Sequence, residues 1–426
     1  MGTGGAALVA AALAVVVVTR LWTVLLHLVW RPYAVARAFA RQGVRGPPYR
    51  VFVGNSKEVQ AMRAATSGDT LDLNSHDYIP RVDVALRQGK EVFLAQRELQ
   101  FIAFASIYNV RVPGMQYVPT KANVRRWQLE RTVRGTLMAI IGERLAAAKE
   151  ARGYGSDLLG LMLEANAAGD DGGKRQQDMS MDEIVDECKT FFVAGHDTTS
   201  HLLTWAMFLL GTHPEWQQRL REEVIRECGG AEVLLRGDSL NKLKLVTMVL
   251  YETLRLYGTL PMIARQATAD SDLCGVKVPK GTLLLIPIAM LHRDEEVWAA
   301  DAGAFNPLRF RDGMGRAAAH PNALLSFSSG PRSCIGQDFA MLEAKATLAL
   351  ILRRFAFEVA AEYVHAPADF LTLQTSKGLP VVLRLLDPYS WQETCCSPIG
   401  VHLQFDDSNC NVLSRSPRGV HLRRRP

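Results

Sequence analysis

The chain has 426 residues, 48% hydrophobic and 22% charged, which suits one large or two ordinary folded domains and excludes a disulfide miniprotein or a disordered chain. Its net charge of +6, from 49 basic and 43 acidic residues, gathers toward the two ends, so no nucleic-acid partner is expected. Seven cysteines without a CxxC pair make no disulfide framework and point to a reducing compartment.

Residues 6–18 are all apolar, and after Thr19 and Arg20 the run resumes over 21–30. Together these are about 25 residues, enough to cross a bilayer with some tilt. Trp22 and Trp30 suit an interfacial belt, and Arg31, Arg37, Arg41, Arg45 and Arg50 follow with no acid among them, which places the downstream chain in the cytosol. A cleavable signal peptide is the rival, but an early basic region is missing. Residues 1–30 therefore read as a single N-terminal membrane anchor and 31–50 as a basic linker ending in the stiff Gly46-Pro47-Pro48 turn.

Helical spacing of apolar residues marks 91–108 and 125–152, the second closed by Gly153 to Gly155. A polar, glycine-rich loop spans 169–178. Ser180 with Glu183 forms a capping box, so a helix starts there and runs to Gly211, where His213-Pro214 stops it. At about 1.5 Å per residue it is roughly 45 Å long. Further helices are predicted over 215–228 and 240–257, with buried strands at 282–288 and 380–386. A last helix, 337–355, carries Phe339, Leu342, Ala346 and Leu350 on one face. The expected fold class is mainly α with a small β component.

The ten residues FSSGPRSCIG (327–336) place Cys334 in a Gly- and Pro-punctuated loop just before that helix. The partial positive charge of a helix N-terminus, with Arg332 two residues upstream, favours a thiolate over a thiol. Gly330 and Gly336 leave room for something flat or bulky. With no second Cys or His at ligand spacing, a tetrahedral zinc site is not expected, whereas one thiolate is what an axial position of haem requires. A buried free cysteine that merely packs explains Cys334 equally well in isolation, and Cys188, Cys228 and Cys274 are assigned to packing.

The pattern Phe327-x-x-Gly330-x-Arg332-x-Cys334-x-Gly336 resembles the haem-binding signature of the cytochrome P-450 family, the haem-thiolate monooxygenases. Glu252 and Arg255 look like that family's Glu-x-x-Arg pair, and FNPLRF (305–310) looks like the segment whose arginine, Arg309, completes a buried network. Apolar flanks around Glu252 and Arg255 place this network in the core. Ala194-Gly195-His196-Asp197-Thr198-Thr199 lies in the long helix. A Gly beside Thr is where a helix can open, because the hydroxyl takes over a backbone carbonyl. The resemblance implies that this gap, at Gly195, faces haem b and that Asp197 and Thr198 relay protons, with Cys334 ligating iron. It also implies that Arg332 and Arg265 neutralise the propionates, as carboxylates in a dry pocket need partners. His196 is a bystander.

The same resemblance implies a plant microsomal enzyme that activates O2 and hydroxylates a hydrophobic small molecule, with haem b as cofactor. Electrons would come from an NADPH-dependent flavoprotein reductase, because the chain has no GxGxxG motif. The location implied is the endoplasmic reticulum membrane. Segments 31–55 and 113–123 look most like steroid-hormone-inactivating hydroxylases, with a brassinosteroid the best guess for the substrate. Residues 31–81 look like the membrane-proximal part of plant microsomal members and residues from about 88 to 386 like the second half of the same fold; between them a large piece of the family pattern is missing, so residues 51–386 read as an incomplete monooxygenase domain with a deletion near 82–88. The missing part includes the Trp-x-x-x-Arg helix. Trp127 and Arg131 share that spacing in the wrong context and are not carried over. The alternative function is a truncated, non-catalytic family member with weak or no haem binding. Residues 387–426 lack periodicity and read as an atypical, disordered tail.

Overall fold

The computed structural model describes residues 3–42, 98–100, 102, 114–150, 153–155, 157–167, 179–230, 235–386 and 401–405. The turn at 46–48, the junction at 82–88, most of the helix at 91–108 and the loop at 169–178 lie outside the described residues. The chain forms two compact units, one of Met1–Ala65, Ala95–Thr136 and Ile263–Ile286, the other of Thr66–Leu94, Leu137–Met262 and Pro287–Pro426.

In the first unit, helix α1 (Thr3–Leu25) passes through a π-helical turn, Leu26–Trp30, into α2 (Arg31–Ala40), which has proline in its first turn. The apolar run is therefore helical. Even so, among the described residues no helix is long and apolar enough to cross a membrane. Within the run the Thr19 and Thr23 hydroxyls donate to the carbonyls of Val15 and Thr19. Residues 31–40, expected as linker, are helix instead. The Gln42 amide after α2 pairs with the Lys277 main chain like one rung of a sheet, with Nε2 to O at 2.9 Å and N to Oε1 at 2.7 Å. Lys277 belongs to a hairpin of β2 (Ser271–Leu273) and β3 (Val276–Val278), and β1 (Ile263–Gln266) pairs with β4 (Leu283–Ile286). The strand predicted at 282–288 is thus present, but Leu283 and Leu285 face solvent, because a two-stranded ribbon covers only one side. Cys274 forms the exposed hairpin turn at φ 50° rather than packing inside. Helix α3 (Lys121–Lys149) starts in the first unit and ends in the second, near Gly153 and Gly155, both at positive φ.

The second unit is built on α5 (Met181–Thr212), which follows α4 (Leu158–Ala167). Ser180 accepts from the Glu183 amide at 3.2 Å while Glu183 accepts from the Ser180 amide at 2.7 Å, so the predicted capping box sets its start. His213 leaves helical geometry and Pro214 opens α6 (Pro214–Cys228), which Gly229 ends at φ 79°. The first half of α5 packs Ile184 and Val185 against Ile141 and Leu163. Its second half inserts Leu202, Trp205, Phe208 and Leu210 into the main core with α6, α8 (Lys244–Leu256) and α11 (Gln337–Arg354). Trp205 stacks on Tyr257 at 4.3 Å and donates to the Leu373 carbonyl.

The helix predicted over 240–257 is two pieces, α7 (Gly237–Asn241) and α8, because the buried Glu223 carboxylate accepts the Leu245 and Val246 amides at 2.8 and 3.0 Å. A cap supplied from another helix fixes the new start. On α11 the buried face is Met341, Ala344, Leu348, Ala349 and Leu352, whereas Phe339, Leu342 and Leu350 face solvent, which corrects the face read from the sequence. Short helices α9 (Ile288–Leu291) and α10 (Glu295–Trp298) precede the cysteine loop. After α11 come β5 (Phe355–Val359), the ribbon of β6 (Pro367–Phe370) and β7 (Thr372–Thr375), and β8 (Leu379–Leu385). β8 pairs with both β5 and β9 (Val401–Phe405), so five residues of the segment expected to lack structure form an edge strand. The mainly helical class with small sheets is the observed one.

Candidate functional site

Helix α8 carries an ion-pair network at its centre. Arg255 and Glu252 are both fully buried and meet through two 2.8 Å hydrogen bonds, one turn apart. Arg255 donates its remaining hydrogens to the carbonyls of His292 at 2.9 Å, Ala302 at 2.5 Å and Ala304 at 3.0 Å. A guanidinium has five N–H donors, and here each has an acceptor. Arg309 lies 3.4 Å from Glu252, and its other nitrogens reach Asp301 at 2.9 Å and the Trp298 carbonyl at 3.0 Å. The Asn306 side chain and Arg309 together hold the Asp301 carboxyl below its ordinary range. The sequence indicated Glu252, Arg255 and Arg309; it gave no local signal for Asp301 or for the carbonyl acceptors, which come from chain about 40 to 50 residues away.

The cysteine loop starts against this network. Leu325 donates its N–H to His292 Nε2 at 2.9 Å and accepts from the Ser328 N–H at 2.8 Å. Ser326 Oγ donates to the Leu254 carbonyl of α8 at 3.0 Å. The Cys334 N–H closes the loop on the Phe327 carbonyl at 2.8 Å, and Phe327 packs against the core. Gly330 sits at φ 75°, the left-handed conformation that favours glycine, and Ser328 shares that region at 61°. Cys334 and Arg332 are exposed, Gly336 is the N-cap of α11, and a Cβ added there would lie 3.9 Å from the Cys334 sulfur.

On α5, Gly195 and His196 are exposed, and the Phe192 and His196 rings stack at 6.3 Å. The Thr198 hydroxyl donates to the Ala194 carbonyl at 2.6 Å, yet the helix continues unbroken from Met181 to Thr212, so the expected opening at Gly195 is not present. A threonine that bonds back four residues bends a helix without severing it. Asp197 is half-buried one residue earlier. Arg265 lies in β1 of the first unit, half-buried, with Nη1 donating to the Ala264 carbonyl.

Among the described residues no group of three or more His, Cys, Asp or Glu could hold a metal ion. A single open sulfur, flanked by glycine and by the exposed apolar Ile335 (91%) and Phe339 (71%), fits a group that takes one protein ligand and an apolar surface. That is the demand of haem.

Comparison with known proteins agrees with this assembly. The sequence model of the family described as "Cytochrome P450" matches residues 90–379. Cytochrome P450 709B1 of Arabidopsis thaliana is 46% identical over 302 residues, covering 70% of this chain and 56% of that protein. Cytochrome P450 734A6 of Oryza sativa subsp. japonica is 45% identical over 315 residues, with 72% and 57% covered. Secologanin synthase 1 of Catharanthus roseus is 40% identical over 322 residues, with 75% and 61% covered. The chain therefore spans somewhat over half the length of these relatives. A crystal structure of a cytochrome P450DA heme domain superposes with a TM-score of 0.60 at 25% identity, over 78% of this chain and 72% of that one. With the buried Glu252–Arg255 pair and the Cys334 loop inside the matched region, this chain belongs to the cytochrome P450 family.

Proposed function

We propose that the chain is a haem-thiolate monooxygenase that hydroxylates a hydrophobic small molecule. The observation that carries the reading is the Cys334 loop, tied to the buried network at its base and closed by the Cys334 N–H on Phe327. When bound, haem b would supply reductive activation of O2 and oxidation of a C–H bond. Cys334 is the residue that would hold the iron. Gly336 caps α11 beside the sulfur, and Phe327 seats the loop on the core. Arg332 and Arg265 are the cations assigned to the propionates. Asp197 and Thr198 would hold and pass a proton, the Thr198 hydroxyl being anchored on Ala194 until it turns toward substrate. Electrons would come from an NADPH-dependent flavoprotein reductase, and residues 1–30 would anchor the chain to the endoplasmic reticulum membrane.

A plant steroid hormone such as a brassinosteroid is the proposed substrate, on the likeness of segments 31–55 and 113–123 to steroid-inactivating hydroxylases. A relative is named secologanin synthase 1, so the likeness is not confined to steroid-inactivating enzymes. A second reading, a truncated member with weak or no haem binding, is favoured by the share of the relatives' length that is spanned. Expression in haem-replete cells separates the two. The long-wavelength thiolate band of the ferrous carbon monoxide complex supports the enzyme, and a purified chain without haem absorption supports the truncated member. Thr198→Ala should keep haem and uncouple oxygen consumption from product; unchanged coupling removes Thr198 from the proton path.

A further inference from the structure

His292 is completely buried, yet its ring is not used as a hydrophobic filler. Its backbone carbonyl accepts from Arg255 at 2.9 Å, its Nε2 accepts the Leu325 N–H at 2.9 Å, and the ring also faces the main-chain carbonyls of Arg255 and Leu254. A leucine or phenylalanine would fill the space but would leave the buried Leu325 N–H without an acceptor. An imidazole is worth keeping here for what Nε2 does. Burial, with the Arg255 charge second, pushes the ring pKa down to about 3, so the ring is neutral and Nε2 keeps its lone pair.

Leu325 opens the hydrogen-bonded run that ends at Cys334. Its N–H is held by His292, its carbonyl by Ser328, the next hydroxyl by Leu254, and the next carbonyl by Cys334 itself. Two lines therefore join α8 to the cysteine loop: Leu254 to Ser326 directly, and Arg255 to Leu325 through His292. We propose that His292 is a positioning residue that couples the Glu252–Arg255–Arg309 network to the Cys334 loop through the Nε2 to Leu325 N–H bond. The consequence for cofactor binding rests on the reading of Cys334 as a haem ligand; the bond itself does not.

The tests begin on the haem-free full chain. Nitrogen NMR with labelled histidine should find His292 as the Nδ1–H tautomer, and an Nε2–H tautomer would overturn the proposal. Hydrogen exchange in His292→Phe should speed roughly 5- to 10-fold for amides between 325 and 334, the loss of about one hydrogen bond, with α5 amides unchanged. His292→Gln, whose Oε1 can stand where Nε2 stood, should restore the slow exchange. Equal acceleration in α5, no change in the loop, or failure of glutamine to rescue would make His292 a packing residue only. If His292→Phe does not fold, the tautomer decides. In the haem-loaded protein, His292→Phe should move intensity from the thiolate band to the shorter-wavelength band of a lost or protonated thiolate. A wild-type chain that takes up no haem would defeat the proposed function while the exchange result still judged His292.

Discussion

Two arginines frame what this molecule does with charge. Arg255 is fully enclosed, and all five of its N–H groups are spent on one carboxylate and three carbonyls; Arg332, beside Cys334, lies open to solvent. The first region is completed by the chain itself. The second, with Ile335 and Phe339 exposed around a free thiol, has the composition of a surface made to receive something. Stability and function are therefore separable by mutation, although the two regions touch through residues 325 and 326.

The largest expected effect breaks the enclosed side. Glu252→Ala or Arg255→Met strands one buried charge or three carbonyls, and urea titration should show a loss of about 3 to 5 kcal/mol, enough to abolish cooperative unfolding. Arg255→Lys should fall close behind, since an ammonium cannot reproduce the planar fork.

The next effect is a pH dependence. His292 is neutral in the fold with its pKa held near 3, so the unfolded chain binds one more proton between about pH 6.5 and 3. Stability from this group is complete above about pH 6.5 and falls on acidification, on the order of 1 kcal/mol per pH unit. Asp301, whose carboxyl is held below its usual range, adds a loss of the same sign at lower pH. Denaturation midpoints for wild type and His292→Gln should converge as pH drops; parallel curves would contradict the assignment.

Cys334→Ala sharpens the contrast from the other side. Because the thiol is exposed, stability should stay within about 0.5 kcal/mol of wild type while the thiolate band disappears. Thr198→Ala should have the smallest effect on stability, unchanged or up by a few tenths of a kcal/mol, because a back-bonding threonine is a weaker helix former than alanine.

How much of this was readable from the letters varied with the range of the interaction. The start of α5 was legible because its cap is local: Ser180 and Glu183 satisfy each other three residues apart. The break between α7 and α8 was not, because the cap on Leu245 and Val246 comes from Glu223 on α6. On α11, apolar residues occur on more than one face, and periodicity has no means of choosing between Met341–Leu348 and Phe339–Leu350; packing chose the first pair. Glu252, Arg255 and Arg309 were legible as a pattern, while their carbonyl partners, and His292 with its hold on Leu325, depend on tertiary contact. For Asp197, Thr198, Arg265 and Arg332 the roles came from the family pattern and not from contacts.

The full engagement of Arg255 also bears on how far this position could drift. No other natural side chain carries five hydrogens in one plane, so any replacement leaves an oxygen facing nothing in a dry interior. In a saturation library, codon 255 should tolerate a single amino acid, whereas codon 335, under a side chain bathed in solvent, should accept nearly the whole alphabet in any screen that scores folding alone.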